Sequence, residues 1–344
     1  MSARECVIPV FVPHLGCPND CVFCNQRRIS GSTKPATAED VDNAIDAAAA
    51  LLPAGAKRQL AFYGGSFTAI PVPEQLALLS AAKRRLDAGD IDALRLSTRP
   101  DAIDGTVLNR LRDYGVETVE LGAQSMCDEV LTLSGRGHTA LDVENASRLI
   151  KAAGFRLILQ MMTGLPGDTK ERSIDTARRI IALKPDGVRI YPTVIVRDTA
   201  LYDLWQAGLY QEHTVDTAVD YCAALVPMFE SAGIPIIRMG LNPTEELSGG
   251  AAAGGAYHPA LGELVKARIM LDAARDKLNS AAIAPRSAVT LGVNSKQISQ
   301  MTGQHRGNIA ALTAEFRLSS LKIHPADVKC GEIAILSVET DEKV

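Results

Sequence analysis

Short apolar runs rich in β-branched residues alternate with longer amphipathic stretches through the first two-thirds of the chain. The runs Val7 to Val12, Gln59 to Tyr63, Leu94 to Thr98, Val116 to Leu121, Arg156 to Met161 and Val188 to Tyr191 predict strands. Between them the apolar spacing changes to the helical period. Val41, Ile45 and Leu52 share a face behind a capping-box pattern of Thr37 and Asp40, and Leu76, Leu79 and Leu86 share another that ends at Gly89. Leu108 and Leu111 follow Asp104, Leu149, Ile150 and Ala153 precede Gly154, and a fifth helix runs from Asp168 through Ile174, Ala177 and Ile181. Six repeats of strand then helix predict an α/β fold with a parallel sheet and right-handed crossovers. Six units fall short of a closed barrel, so the expected architecture is an open partial (β/α)6 barrel of the TIM type or a doubly wound sheet.

Past Tyr191 the pattern loosens. "TALYDLWQAGLY" and "DTAVDYCAALVPMFESAG" read as helices, "IPIIRMG" as a further strand, and "LSGGAAAGGAYHPALGELV" as a flexible Gly/Ala loop. Residues 281 to 344 alternate small strands with helix. The expected organisation is a core over residues 1–240 and a small α+β extension over 241–344.

With 344 residues, 47% of them apolar, the chain is long and apolar enough to bury a substantial core, which excludes a disordered protein. The N-terminus shows no basic segment followed by an apolar run and a cleavage site, and no apolar stretch reaches the roughly 18 residues of a spanning helix. The expectation is a cytoplasmic protein with no membrane partner. Seven cysteines, an odd number, argue against a disulfide framework there. Cys6, Cys127, Cys222 and Cys330 are scattered singly and read as small apolar side chains. A net charge of −4 gives no general attraction for nucleic acid. Residues 261–330, however, hold ten Lys and Arg against five Asp and Glu, a net +5 that leaves −9 for the remainder. That bias permits a phosphate-binding surface, and an ordinary solvated surface explains it as well.

"HLGCPNDCVFCNQRR", residues 14 to 28, places Cys17, Cys21 and Cys24 within eight positions. Two metal chemistries suit the trio. Zinc sites normally take four ligands, and His14 is the candidate fourth. An iron-sulfur cube needs no fourth: three thiolates hold three irons, and the last iron stays open for a substrate or cofactor. The surroundings favour a site. "GCPNDCVFC" follows the first strand, "GGSF" the second, "STRPD" ends the third, "GAQS" the fourth, "TGLPG" the fifth and "YPT" the sixth. In parallel α/β folds the carboxyl ends of the strands face the active site, so six polar or glycine-rich segments converge on one mouth. The glycines of "YGGSF" let backbone groups approach a ligand closely.

Cx3Cx2C with an aromatic, Phe23, before the last cysteine resembles the signature of the radical S-adenosylmethionine (radical SAM) enzymes, over roughly residues 7 to 240. Within them, "GGSF", "STRPDAI", "VELGAQS", "GRGHT", "AAGFRLILQMMTGLPG" and "DGVRIYPTVIVRDTALYDLWQAG" look like the radical SAM part of the Elongator catalytic subunit, which modifies the wobble uridine of tRNA. Oxygen-independent coproporphyrinogen oxidases are a more distant match. The resemblance implies that Cys17, Cys21 and Cys24 hold a 4Fe-4S cluster, and that SAM binds the open iron with Gly64, Gly65 and Ser66 at its amino end. It further implies SAM contacts from Gln124, Arg136 and Gln160, with Phe23 on the adenine side, and Arg99, at a strand end facing the mouth, is a further candidate cofactor contact. Reductive cleavage of SAM to a 5'-deoxyadenosyl radical would follow, with the electron from a flavodoxin- or ferredoxin-type donor. Tyr191, Arg197 and Tyr202 fall in the Elongator-like stretch and are candidate substrate residues. Tyr202 with Trp205 reads equally as helix packing.

Two positions depart from the Elongator pattern. Ser97 replaces an acidic residue, and Gln160 stands where relatives carry His or Asp, although an amide still hydrogen-bonds a hydroxyl. The Elongator subunit also continues into an acetyltransferase domain for which the remaining residues are too few, so a different reaction or a separate donor of the group is expected. His138 reads as a loop-orienting residue or a functional one, and His258 as a loop histidine. "SQMTGQHRGNI", residues 299–309, offers Gln304, His305, Arg306 and Asn308 for phosphate or base contacts. The expected function is modification of an RNA base, most readily in tRNA, by a radical SAM enzyme. The alternatives are a radical SAM oxidoreductase acting on a small metabolite such as a porphyrin precursor, and a non-catalytic cluster- or SAM-binding partner.

Overall fold

Seven strands form one parallel sheet: β1 (Glu5–Val12), β2 (Lys57–Gly64), β3 (Ala93–Thr98), β4 (Val116–Gln124), β5 (Arg156–Thr163), β6 (Gly187–Pro192) and β8 (Ile236–Met239), neighbours in that order. The computed structural model describes residues 5–12, 21–25, 35–49, 51–53, 55–241 and 247–340. Because each crossover advances to the next strand in the same direction, the sheet winds one way only. A doubly wound sheet would reverse its order. The sheet also curls. Arg189 on β6 donates to the Tyr63 hydroxyl on β2 at 2.8 Å. Three strands separate these two, so a flat sheet would hold them about 19 Å apart at ~4.8 Å per strand. The result is the expected partial barrel, with the "IPIIRMG" strand adding a seventh member to the anticipated six.

The connecting helices are α1 (Ala38–Ala49), α2 (Val72–Asp87), α3 (Gly105–Asp113), α4 (Asp128–Leu133), α5 (Ala140–Ala152) and α6 (Lys170–Ala182). Their starts are set by local chemistry. Asp104 accepts the Val107 N–H at 2.8 Å, and Thr139 with Asp142 forms a capping box. Two boundaries differ from the sequence pattern. Leu52 lies beyond the end of α1, since the residue before Pro53 is turned away from helical backbone. Asp168 is not the start of α6. Its carboxylate accepts from Gly164 N and Ser173 Oγ, closing the TGLPG turn, and Thr169 caps the helix instead. That phase buries Ser173, Thr176, Ala177 and Ile180, leaving Ile174 and Ile181 half-buried.

After β6 come β7 (Val194–Val196), α7 (Ala200–Gln206) and α8 (Val215–Ser231). The Gly/Ala stretch is not wholly loop: β9 (Ala252–Gly255) pairs antiparallel with β7. Gly255 has φ +82°, and a Cβ there would lie 2.6 Å from the Thr193 carbonyl, so the pairing requires glycine.

The chain divides into two units, Met1–Thr214 with Leu225–Tyr257, and Val215–Ala224 with His258–Val344. The second contains α9 (Leu261–Ser280), β10 (Ala288–Val293), α10 (Ile298–Thr302), α11 (Gly307–Glu315), β11 (Ser320–Pro325) and β12 (Ile333–Glu339). β10 is central in its sheet, parallel to β11 and antiparallel to β12. It has its own core, in which Met270, Ala274, Leu278, Val289, Leu291, Met301 and Leu312 meet. Among the described residues no helix is long and apolar enough to cross a membrane.

Candidate cofactor and active site

Side chains on the two faces of the curled sheet differ in kind. Phe62, Leu96, Leu121, Leu159 and Ile190 point to the helices and are fully buried. Their neighbours Tyr63, Ser97, Gly122, Gln160 and Tyr191 point to the concave side and are half-buried. The concave face is therefore polar and reachable from the carboxyl end of the sheet, where the unusual segments lie.

Cys21 and Cys24 are drawn together by a turn in which Cys24 N donates to Cys21 O at 3.0 Å. Cys17 and His14 lie outside the described residues. The loop is tied down on both sides: Val22 N donates to Ser134 O at 3.1 Å, Leu201 N donates to Val22 O at 2.7 Å, and the Asn25 amide donates to Asp198 O at 3.2 Å. Phe23 is half-buried and packs with Val22 against Ile195, Leu201 and Tyr210.

Arg136, from "GRGHT", is the link between this loop and the sheet. One terminal nitrogen donates to Cys21 Sγ at 3.4 Å and the other to Gly122 O at 2.8 Å. Gly122 makes room for the guanidinium: a Cβ there would sit 2.8 Å from Gln124 Nε2 and 3.3 Å from Arg136 Nη2. Gln124 takes φ +63° at a bulge in the β4 and β5 pairing, a conformation uncommon outside glycine, and its Oε1 accepts from Gln160 Nε2 at 3.4 Å. Gly64, with φ +103°, turns the chain so that Gly65 N donates to Val12 O at 2.9 Å, and the adjoining Ser66 is buried. Cys21, Gly122, Gln124, Arg136 and Gln160 thus share one end of the sheet.

Arg99 stands behind them. It is 2% exposed, clamps Asp101 at 2.8 and 2.9 Å, and donates to the Arg136 carbonyl at 2.6 Å. It braces the segment that carries Arg136. His138 donates from Nε2 to Ala123 O at 3.1 Å, and burial, reinforced by the Arg136 charge, pushes its pKa down to about 4. The ring thereby ties the "GRGHT" segment to the end of β4.

The sequence reading missed the centre of the concave face. Glu120, Arg95 and Arg189 are buried mid-strand charges. Tyr63 and Arg189 donate to Glu120 Oε1 at 3.0 and 3.1 Å, and Arg189 Nη1 donates to the Tyr191 hydroxyl at 3.3 Å. Burial, then the Glu120 charge, raises the Tyr63 phenol to about 12. Burial opposes charge on Arg189, yet Glu120, Tyr63 and Tyr191 outweigh it and hold the guanidinium above its ordinary value.

Of the candidate substrate residues, Tyr191 belongs to this group. Arg197 and Tyr202 instead pair with each other, the guanidinium 5.7 Å from the ring centroid, and Arg197 donates to Gly250 O at 3.0 Å. Tyr202 and Trp205 pack against the Ile195, Leu201 and Tyr210 cluster. In the second unit, His258 Nδ1 accepts from Ala260 N at 3.1 Å, and Asn308 is buried and donates to Ala267 O at 2.8 Å, both structural uses. Gln304, His305 and Arg306 are exposed.

Residues 11–180 match the radical SAM superfamily and residues 185–284 match the radical SAM C-terminal domain. The chain belongs to the radical SAM superfamily, a class of enzymes whose cofactors are a 4Fe-4S cluster and SAM. It is similar to Elongator complex protein 3 of Saccharomyces cerevisiae, 30% identical over 194 residues that make up 50% of this chain and 35% of that protein. It is likewise similar to the tRNA uridine(34) acetyltransferase of Methanocaldococcus jannaschii, 33% identical over 141 residues, 39% of this chain and 26% of the relative. The matched part is thus about a third or less of the length of these relatives. Archaeal Methanocaldococcus infernus Elp3 with an N-terminal deletion has the same fold, with a TM-score of 0.60 at 22% identity over 83% of this chain and 65% of that one.

Proposed function

We propose that this chain holds a 4Fe-4S cluster through Cys17, Cys21 and Cys24, cleaves SAM reductively to a 5'-deoxyadenosyl radical, and modifies a uridine base of tRNA. The observation that carries the reading is the Arg136 guanidinium reaching from Gly122 O to Cys21 Sγ at the carboxyl end of a curled parallel sheet. The donor set fits the cofactors. Cysteine sulfur beside a fixed cation suits a thiolate-held cluster, and the glycine at 122 leaves space for the amide and guanidinium that would hold SAM. When bound, the reduced cluster supplies the electron that breaks the sulfonium carbon-sulfur bond of SAM.

The chain's own residues do the positioning. Gly64, Gly65 and Ser66 meet the amino end of SAM, Gln124, Gln160 and Arg136 provide donors at the mouth, and Phe23 lies against the adenine. Arg99 and His138 hold Arg136 and β4 in place, so these donors are oriented before the ligand arrives. Tyr191 faces the substrate from the concave side. The tRNA assignment is supported by the identity to the two relatives whose names place them in Elongator and in tRNA uridine modification. The +5 bias of residues 261–330 favours a phosphate-rich partner. A flavodoxin- or ferredoxin-type protein supplies the electron, in the cytoplasm, where thiols stay reduced.

The test is anaerobic reconstitution, reduction with dithionite, addition of SAM and measurement of 5'-deoxyadenosine, with Cys24→Ala as control. Cysteine-dependent deoxyadenosine that rises on adding tRNA is the expected result. A fully loaded cluster that yields none, with or without tRNA, overturns the catalytic reading. Deoxyadenosine that is indifferent to tRNA, together with no tRNA binding at low salt, overturns the substrate.

A further inference from the structure

Inside the half-barrel two guanidiniums share one carboxylate. Glu120 is 3% exposed at its side chain and already accepts from Tyr63 and from Arg189, whose Nε also lies 2.9 Å from Oε2. Arg95 on β3, with 5% of its side chain exposed, approaches Glu120 Oε1 only as a charge, Nε to oxygen 3.3 Å, outside hydrogen-bond geometry. Among the described residues it has no hydrogen-bond acceptor. A guanidinium has five N–H donors in a rigid planar fork, and a donor buried without an acceptor, as Arg95 Nε is, is unfavourable.

Among the described residues, Glu120 is the carboxylate that Arg95 and Arg189 approach. The rim at the amino ends of the strands is neutral in itself: Lys57 pairs with Glu117 at 3.1 Å, and Arg156 lies 3.7 Å from Glu5 and 3.6 Å from Glu117. Around Arg95 the other polar groups are also unsatisfied. Thr118, its register partner on β4, and Gln59 on β2 are fully buried, and Thr118 Oγ1 and both Gln59 amide atoms have no partner among the described residues. Above this layer the concave side chains Tyr63, Ser97, Gln160 and Tyr191 retain partial exposure, so Arg95 and Arg189 lie beneath a solvent-reachable surface.

The geometry points to an oxyanion receptor: Arg95, with Arg189 locked beside it by Glu120, takes a carboxylate or phosphate group of a small substrate or co-substrate that enters the half-barrel. Planar or tetrahedral oxyanions match the guanidinium fork, and Glu120 fixes the Arg189 fork while leaving the net charge positive. The receptor is separate from the mouth. Arg95 sits three residues before the carboxyl end of β3, about 10 Å down the strand at ~3.3 Å per residue, whereas Arg136 reaches Cys21 at the mouth. This inference rests on the reading of the concave face as the substrate side of a radical SAM site.

Thermal unfolding of the reconstituted holoenzyme with SAM bound tests it, so that the open iron and the SAM contacts are already filled. The probes are inorganic phosphate and acetate at constant ionic strength, with chloride and acetamide as controls. The expected result is a saturable rise of the midpoint with an oxyanion and not with either control, the stronger of phosphate and acetate naming the substrate's group. Arg95→Met removes the rise. Glu120→Gln keeps it and lowers the half-saturating concentration at least threefold. Without added anion, the Arg95→Met midpoint is equal to or higher than that of the parent. No anion-specific rise in the parent, a rise that survives Arg95→Met, or an Arg95→Met midpoint several degrees lower without anion would each overturn the proposal. Deoxyadenosine formation is read separately and needs no oxyanion, so failure here leaves the radical SAM reading standing.

Discussion

Gly122→Ala adds one methyl group where the sheet, Gln124 and Arg136 meet, and the structure separates its effect on the fold from its effect on the site. The new carbon would lie 2.8 Å from Gln124 Nε2 and 3.3 Å from Arg136 Nη2. Comfortable contact begins near ~3.5 Å, so the amide must retreat by about 0.7 Å and the guanidinium by about 0.2 Å. Both are the far ends of flexible side chains, and φ at Gly122 is not in the left-handed region, so the backbone tolerates alanine. Stability should stay within about 1 kcal/mol, a shift of roughly 2–4 °C in a domain of this size. The site loses more. The Gln124 to Gln160 bond, already 3.4 Å long, breaks, and the Arg136 to Gly122 O bond of 2.8 Å is disturbed. Hydrogen bonds to charged groups contribute about 1.5–3 kcal/mol, so loss of one aligned donor predicts SAM affinity falling ~10- to 100-fold. Equilibrium dialysis of SAM against the anaerobically reconstituted variant, normalised to iron content, measures this. Gly105→Ala, which meets nothing within 4 Å, is the neutral control. A dissociation constant within about threefold of the parent, at full iron content, would refute the assignment of Gln124 and Arg136 to SAM.

Two further outcomes concern the fold. Gly164→Ala places its methyl 2.1 Å from His213 Cγ at φ +75°, and the buried ring is held by Thr163 at 3.0 Å, so it cannot swing aside. We expect a loss of about 3 kcal/mol or more, lowering the midpoint by at least ~6 °C; a drop under about 2 °C refutes the steric argument. His138 and His213 are both held near 4, chiefly by burial, while unfolding returns them to about 6.5. The unfolded chain therefore takes up protons first as pH falls. Stability that is complete above about pH 6.5 fades toward pH 4, by about 3 kcal/mol per histidine at the low end. His213→Gln should shrink the drop in midpoint between about pH 7.5 and about pH 5; an unchanged drop would show that His213 does not titrate as argued.

The fold was legible because β-branched apolar runs announce strands, and six did so in regular alternation with helices. What escaped was competition among local polar groups. The sequence pattern starts a helix at Asp168, yet its carboxylate closes the TGLPG turn with Gly164 and Ser173, and the neighbouring Thr169 hydroxyl caps the helix. The Gly/Ala stretch carried no alternation to mark β9, whose pairing with β7 depends on the backbone reaching Thr193 at Gly255. Neither decision is made by hydrophobicity, so periodicity was blind to both.

The same division runs through the site. Cys21, Gly64, Gln124 and Arg136 were visible since they lie in loops or at strand ends, where an unusual residue stands out against turn chemistry. Glu120, Arg95 and Arg189 lie inside the strands "VETVELGAQ", "ALRLST" and "GVRIYP", where the strand pattern alone does not single them out. A signal was nevertheless present. A strand covered on both faces has no solvent side for a lone charge, and strand geometry sends every second residue to the same face. One charge flanked by apolar neighbours, recurring in three strands of a parallel sheet, therefore implies that one face is not packed by helices at all. The curled sheet supplies that face, and there, among the described residues, Arg95 and Arg189 both approach Glu120. An enzyme that holds a radical precursor at the mouth needs its substrate anchored from below. The guanidinium pair beneath Tyr63 and Tyr191 is where such an anchor would act.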